Sequence, residues 1–101
     1  MSFIDEIVID CDLLSIHVEE WKKDVYFRPF TLGDSDWIQK MSNGKDGEFV
    51  AYFLIRKALD SDGKKLFTVA DKLKLTRSCD SDVLMRVMLE MRGEKVDYEE
   101  N

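Results

Sequence analysis

The sequence predicts a single α+β domain in which an N-terminal β-hairpin precedes a small bundle of about four α-helices, so that helix predominates. Two observations lead to this prediction. Apolar and polar residues alternate in two short runs near the N-terminus, which is typical of half-buried strands. Later apolar segments follow the spacing of a helix instead. The 101 residues suffice for one modest core, and we assign the domain to residues 1–93 and an acidic, flexible tail to residues 94–101.

The hairpin is predicted from the two alternating runs. Leu14, Ile16 and Val18 alternate with polar residues, and VYFRPF resumes the alternation after the polar segment EEWKKD. Two such runs joined by a short polar segment form a β-hairpin. Pro29 has no N–H to donate, so the second strand ends there or lies at a sheet edge. Residues 3–11 mix apolar and acidic side chains and fit either a short helix or a loose lead-in.

Two helices are predicted after the hairpin. The first begins with Thr31 or Asp34 as its cap and ends at Asn43-Gly44. In the second, the run from Phe49 to Ile55 is apolar around nearly the whole circumference. A helix of this kind is buried on all sides, so we expect it to be the central helix of the core.

The next segment, ALDSDGKKLFTVAD, raises the question of a cation-binding loop. A calcium loop of the EF-hand type requires an oxygen ligand at its first position and a glutamate at its last. With Gly63 as the loop glycine, these positions are Ala58 and Val69, which offer no side-chain oxygen. The segment DSDG is therefore predicted to be a turn, after which Thr68 and Asp71 cap a short helix.

The last helix is predicted over residues 81–92, with Asp80 or Ser81 as its cap and Gly93 as its stop. Its apolar side chains cover about 240° of the helical wheel, against about 100° or more for an ordinary core-facing helix. Part of this arc has no evident place in a small core. Methionine suits surfaces that accept varied apolar partners, but it also fills irregular gaps in cores, and we weigh the two interpretations about equally. On the partner interpretation, the candidate protein-binding residues are Leu84, Met85, Met88, Leu89 and Met91.

The sequence contains no recognisable catalytic, cofactor or metal-binding motif, so we expect neither enzymatic activity nor a cofactor. His17 is the only histidine, and on the polar side of a strand it is more often solvated than a base. Cys11 and Cys79 form no CxxC pair, and we expect both to be reduced and buried. The net charge of −6 argues against nucleic acid as a partner. The longest apolar run is far shorter than the ~20 residues that span a bilayer, so we expect no membrane partner.

Three stretches, in this order, resemble the tail assembly chaperones of long non-contractile-tailed (siphovirus-type) bacteriophages. They are HVEEWKKDVYFRPFTLGD (His17 to Asp34), LDSDGKKLFTVAD (Leu59 to Asp71) and VLMRVMLEMRG (Val83 to Gly93). The match covers most of the chain, and its motifs are structural rather than catalytic.

The resemblance implies a non-enzymatic protein that binds the phage tape measure protein, keeps it soluble and helps to recruit tail tube subunits during tail morphogenesis. Such chaperones act in the host cell cytoplasm and are absent from the mature virion. Many also have a longer, frameshifted form, and such an extension would join at the acidic tail and offer a route to the tail tube protein. Because weak contacts repeated along one long client gain from avidity, we also expect a homo-oligomer.

One alternative comes from another class of protein: an acidic inhibitor that mimics DNA and binds a host nucleic-acid-binding protein. Such a mimic requires carboxylates arrayed along one face, whereas acidic and basic residues alternate in this chain. The two functions differ in the effect of salt, since binding to an apolar client is insensitive to it.

Overall fold

The computed structural model describes residues 3–4 and 13–93. The predicted α+β architecture is confirmed: a two-stranded antiparallel hairpin precedes four α-helices. The elements are β1 (Leu14–Val18), a 3₁₀ turn (Glu19–Trp21), β2 (Lys23–Phe27), α1 (Leu32–Ser42), α2 (Asp46–Lys57), a second 3₁₀ turn (Val69–Asp71), α3 (Lys72–Ser78) and α4 (Ser81–Met91). The expected tail at 94–101 and most of the ambiguous segment at 3–11 lie outside the described residues. Within the described ranges, every helix is too short or too polar to cross a membrane.

The hairpin buries one of its two faces. Leu14 pairs with Phe27 at one end, and Val18 pairs with Lys23 at the turn. Val18, Val25 and Phe27 belong to the buried core. Strand β2 ends two residues before Pro29, which agrees with the first of the two predicted alternatives, the end of the strand near this proline.

The other edge of β2 is covered by the segment that follows α2. The N–H of Tyr26 donates to the carbonyl oxygen of Leu59 at 2.9 Å, and the N–H of Leu59 donates to the carbonyl oxygen of Tyr26 at 2.7 Å. The pair forms an isolated antiparallel bridge. This bridge ties the hairpin to the chain that leaves the central helix.

Helix α1 begins and ends as its local sequence predicts. Thr31 and Asp34, the two alternative caps, form one capping box: Thr31 Oγ1 accepts the N–H of Asp34 at 3.2 Å, and Asp34 Oδ2 accepts the N–H of Thr31 at 2.9 Å. Asn43 and Gly44 adopt the left-handed conformation, with φ of 53° and 81°. They therefore end the helix in the usual way.

Helix α2 is the central helix of the core, as predicted. Its residues from Val50 to Ile55 are all buried, because α1, α3 and α4 pack against it. The ring of Phe53 stacks on that of Phe30, with centroids 5.5 Å apart.

A buried ion cluster joins the start of α1 to the end of α2. Asp34 accepts hydrogen bonds from Arg56 Nε at 2.6 Å and from Lys57 Nζ at 2.7 Å. Lys57 Nζ also donates to the carbonyl oxygen of Pro29 at 3.1 Å. Burial by itself would raise the pKa of Asp34, but the hydrogen bonds from Lys57, Arg56 and Thr31 outweigh it and lower the pKa to about 2.

The predicted turn after α2 is confirmed. Asp60 Oδ1 accepts the N–H groups of Asp62 at 2.8 Å and of Lys64 at 2.9 Å. Gly63 has a φ of +81°, which favours glycine. The N–H of Thr68 then donates to Asp71 Oδ2 at 2.9 Å, so the capping box before α3 is also present. Among the described residues, no cluster of three His, Cys, Asp or Glu side chains could hold a metal ion.

Candidate protein-binding surface

Helix α4, which carries the five candidate residues, is held over the turn of the hairpin. Asp80 caps its N-terminus, and Asp80 Oδ1 accepts the N–H of Asp82 at 2.9 Å. The guanidinium of Arg86 contacts both carboxylate oxygens of Glu20, with Nη1 2.8 Å from Oε2. The hydrogen bonds from Arg86 lower the pKa of Glu20 to about 2. Gly93, at a φ of +83°, follows the helix end where the sequence predicts it.

The structure separates the five candidates into buried and exposed residues. Leu84, Met88 and Met91 are 5%, 6% and 5% exposed, whereas Met85 is 44% exposed. Leu89 is partly buried and packs against the core. More of the wide apolar arc of α4 is therefore buried in the core than the helical wheel indicated, because α4 packs against both α2 and β1. A role of these residues in partner binding stays a prediction.

Met85 lies between two adjoining depressions, which together we call the Met85 groove. Their volumes are about 110 and 360 Å³. Met85 and Val50 line both of them, and the walls come from the first half of α2, the end of α3 and one side of α4. The lining residues are Asp46, Gly47, Phe49, Val50, Leu75, Thr76, Cys79, Ser81, Leu84, Met85, Met88 and Arg92.

The Met85 groove brings together three of the five candidates, Leu84, Met85 and Met88. Met91 lines a separate depression of about 350 Å³ with Phe27 and Phe30, and Leu89 lines neither. The Met85 groove is largely apolar, with Asp46 and Arg92 among its charged lining residues. Such a surface can accept apolar side chains that project from one face of a partner helix.

A second apolar groove, which we call the Trp21 groove, runs along the other side of α3. It consists of adjoining depressions of about 330 and 360 Å³. The Trp21 and Phe67 rings meet edge to face, with their centroids 6.2 Å apart. Leu75 and Cys79 line both this groove and the Met85 groove. The lining residues are Trp21, Lys23, Leu66, Phe67, Asp71, Lys74, Leu75 and Cys79.

The expectation that Cys79 is buried is wrong. Its thiol is free and exposed, because Cys79 stands in extended conformation just after the end of the short helix α3. Cys11, the other cysteine, lies outside the described residues. The sequence contained a signal for this exposure, since Ser78 and Asp80 on either side of Cys79 indicate a break between helices.

The titratable groups of the hairpin form a surface ion cluster. His17 Nδ1 lies 2.7 Å from Asp24 Oδ1, and His17 Nε2 lies 3.2 Å from Glu19 Oε1. The hydrogen bond with Asp24 is the main cause that raises the pKa of His17. The His17 side chain remains exposed, as predicted from its place on the polar side of β1.

Comparison with known proteins relates this fold to a phage protein. No family model and no curated protein matches the sequence. Among solved structures, the chain is similar to the tail assembly chaperone of bacteriophage HK97, with a TM-score of 0.57 and 14% sequence identity. The similarity covers 92% of this chain and 94% of the phage protein. The chain therefore shares its fold, over most of its length, with a phage tail assembly chaperone.

Proposed function

We propose that the protein is a tail assembly chaperone of a siphovirus-type bacteriophage, which binds the tape measure protein, keeps it soluble and helps to recruit tail tube subunits. The observation that carries this proposal is the fold shared with a tail assembly chaperone over 92% of the chain. The sequence motifs of the hairpin, the DSDG turn and α4 support the same assignment independently.

The Met85 groove is our proposed site for the client. Before the tail tube covers it, a tape measure protein exposes long apolar helical surface, and such surface aggregates. Met85 stands at the centre of the groove and is exposed, and a flexible thioether side chain adapts to apolar partners of varied shape. The charged residues Asp46 and Arg92 among the lining could orient a client helix.

The contact between one client helix and a single Met85 groove is weak, so the proposal includes many copies of the chaperone acting together. Several chains bound along one long client would hold it by avidity. We place this assembly in the host cytoplasm and expect the chaperone to leave before the virion is complete. A longer, frameshifted form would recruit the tail tube protein, and no step requires enzymatic catalysis.

Co-expression with the tape measure protein of the same phage tests the proposal. We expect the client to move into the soluble fraction and to co-purify with the chaperone. Met85→Lys should weaken co-purification by about tenfold, since it replaces an apolar contact with a charge. Leu32→Lys is the matched control, because Leu32 is largely exposed on α1 and lines neither groove.

The outcomes separate the chaperone role from its site. An insoluble client that does not co-purify would contradict the chaperone role. Equal co-purification of the Met85→Lys and Leu32→Lys variants would reject the Met85 groove only. Binding that disappears at about 1 M salt would favour the acidic DNA-mimic alternative, because screening at that ionic strength weakens contacts between exposed charges.

A further inference from the structure

The N-terminal residues present apolar side chains that the described part of the domain does not cover. Phe3 and Ile4 have helical backbone conformation and are 72% and 58% exposed. In the sequence, Ile7, Val8 and Cys11 follow at helical spacing, so a helix through residues 3–11 would align all five on one face.

The same segment is strongly acidic. Asp5, Glu6 and Asp10 lie between its apolar residues, and neither lysine nor arginine occurs before Lys22. Its pattern is therefore that of an amphipathic helix with one apolar face and one largely negative face, which also carries Ile9.

The Trp21 groove is complementary to this pattern. Trp21, Leu66 and Phe67 give it an apolar lining, and the exposed residues Lys23 and Lys74 supply positive charge. Asp71 is its one acidic lining residue, and the Asp71 carboxylate already accepts the N–H of Thr68 at 2.9 Å. The groove thus matches both the apolar side chains and the negative charge of the N-terminal segment.

We propose that residues 3–11 dock as an amphipathic helix in the Trp21 groove of a second copy of the chain. The chain enters β1 at Leu14, whereas Lys23 pairs with Val18 at the other end of the hairpin, about 13 Å away. In the copy that the structure describes, Phe3 and Ile4 remain exposed and are not seated in the groove, so we assign the segment to the groove of a second copy, and reciprocal exchange closes a dimer.

This self-association does not depend on the proposed client. It occupies the Trp21 groove and leaves Met85 exposed. A dimer would therefore present two Met85 grooves.

The two cysteines of the chain provide a direct test, since Cys11 lies on the segment and Cys79 lines the groove. Oxidation of the full chain with copper phenanthroline in air should join Cys11 of one copy to Cys79 of another. We expect a covalent dimer on a non-reducing gel and a Cys11–Cys79 peptide by mass spectrometry, both lost in Cys11→Ser and in Cys79→Ser. A monomer with an internal Cys11–Cys79 bond, dimers joined only through like cysteines, or no disulfide at all would overturn the proposal.

A second measurement tests the apolar contact without oxidation. Phe3→Ser combined with Ile4→Ser should raise the dissociation constant of the dimer at least about tenfold in sedimentation equilibrium, because two apolar side chains are lost from the interface. Leu32→Ser removes a still more exposed apolar residue outside the groove and should leave the dissociation constant unchanged. A chain that is monomeric throughout, or a dimer insensitive to the Phe3 and Ile4 replacements, would contradict the docking.

Discussion

Helices α2 and α4 are both apolar around most of their circumference, yet the fold uses them differently. Three helices pack against α2, so its residues from Val50 to Ile55 are all buried. Helix α4 packs against α2 and β1, and its residue Met85 remains exposed to solvent. The comparison teaches that the elements packed against a helix, rather than the width of its apolar arc, decide which side chains remain available to a partner.

The largest expected effect concerns the centre of α2. Phe53→Ala should lower the free energy of unfolding by about 4 kcal/mol, because it removes a fully buried ring and leaves a cavity. Urea unfolding followed by circular dichroism measures the change. A loss below about 1 kcal/mol would show that α2 is not the centre of the core.

The next effect concerns the ion cluster at the end of α2. Asp34→Asn should cost about 3 kcal/mol, because it leaves the buried ammonium of Lys57 without its counter-charge. Asp36→Asn, on the exposed side of α1, is the matched control and should change stability little. If the two variants unfold at the same urea concentration, the cluster does not stabilise the fold.

The same cluster predicts a dependence on pH. Because the pKa of Asp34 is lowered to about 2, below the ordinary value of about 3.9, its contribution is fully present above pH 4 or so and is lost as pH falls through about 2. Wild-type stability should therefore decline over this range more than that of Asp34→Asn. If the stability of wild type and of Asp34→Asn declines equally over this range, the lowered pKa of Asp34 is contradicted.

A smaller effect separates the two methionines of α4. Met88→Ala should cost about 2–3 kcal/mol, at the lower end for buried methionine because Met88 borders the groove. Met85→Ala should stay within about 0.5 kcal/mol of wild type. Thermal or urea unfolding distinguishes them, and equal losses would mean that Met85 is part of the core after all.

The smallest effect concerns the exposed hairpin. The hydrogen bond to Asp24 raises the pKa of His17. The contribution of this hydrogen bond to the stability of the fold is therefore present below the ordinary pKa of about 6.5, and it is lost as pH rises through the pKa of His17 in the folded protein. Asp24→Asn should bring the pKa of His17 back toward that ordinary value in an NMR titration. An unchanged titration would mean that Asp24 does not bind the imidazolium.

The sequence predicted the features that depend on residues three or four positions apart. The caps at Thr31 and Asp80 and the stop at Gly93 belong to this class, because each is decided by local hydrogen bonds and backbone conformation. The hairpin and the burial of α2 followed from periodicity in the same way.

The features that the sequence did not predict depend on contacts between distant elements. Asp34 and Lys57 are 23 residues apart, and nothing in the local pattern of either residue indicates the other. The wheel of α4 shows Met88 and Met91 as apolar without showing that α2 and β1 cover them. Of the five candidate residues on α4, Met85 is exposed and Leu89 is partly buried, and the role of this helix in partner binding stays a prediction.

The bridge between Tyr26 and Leu59 has a consequence for how copies of the protein can meet. An open sheet edge is a template onto which further chains add and from which fibres grow. At Tyr26 both the N–H and the carbonyl oxygen are already engaged by Leu59, so an incoming strand finds no hydrogen-bonding groups at this point of β2. A strand from another copy therefore cannot pair with β2 at Tyr26 unless it displaces Leu59.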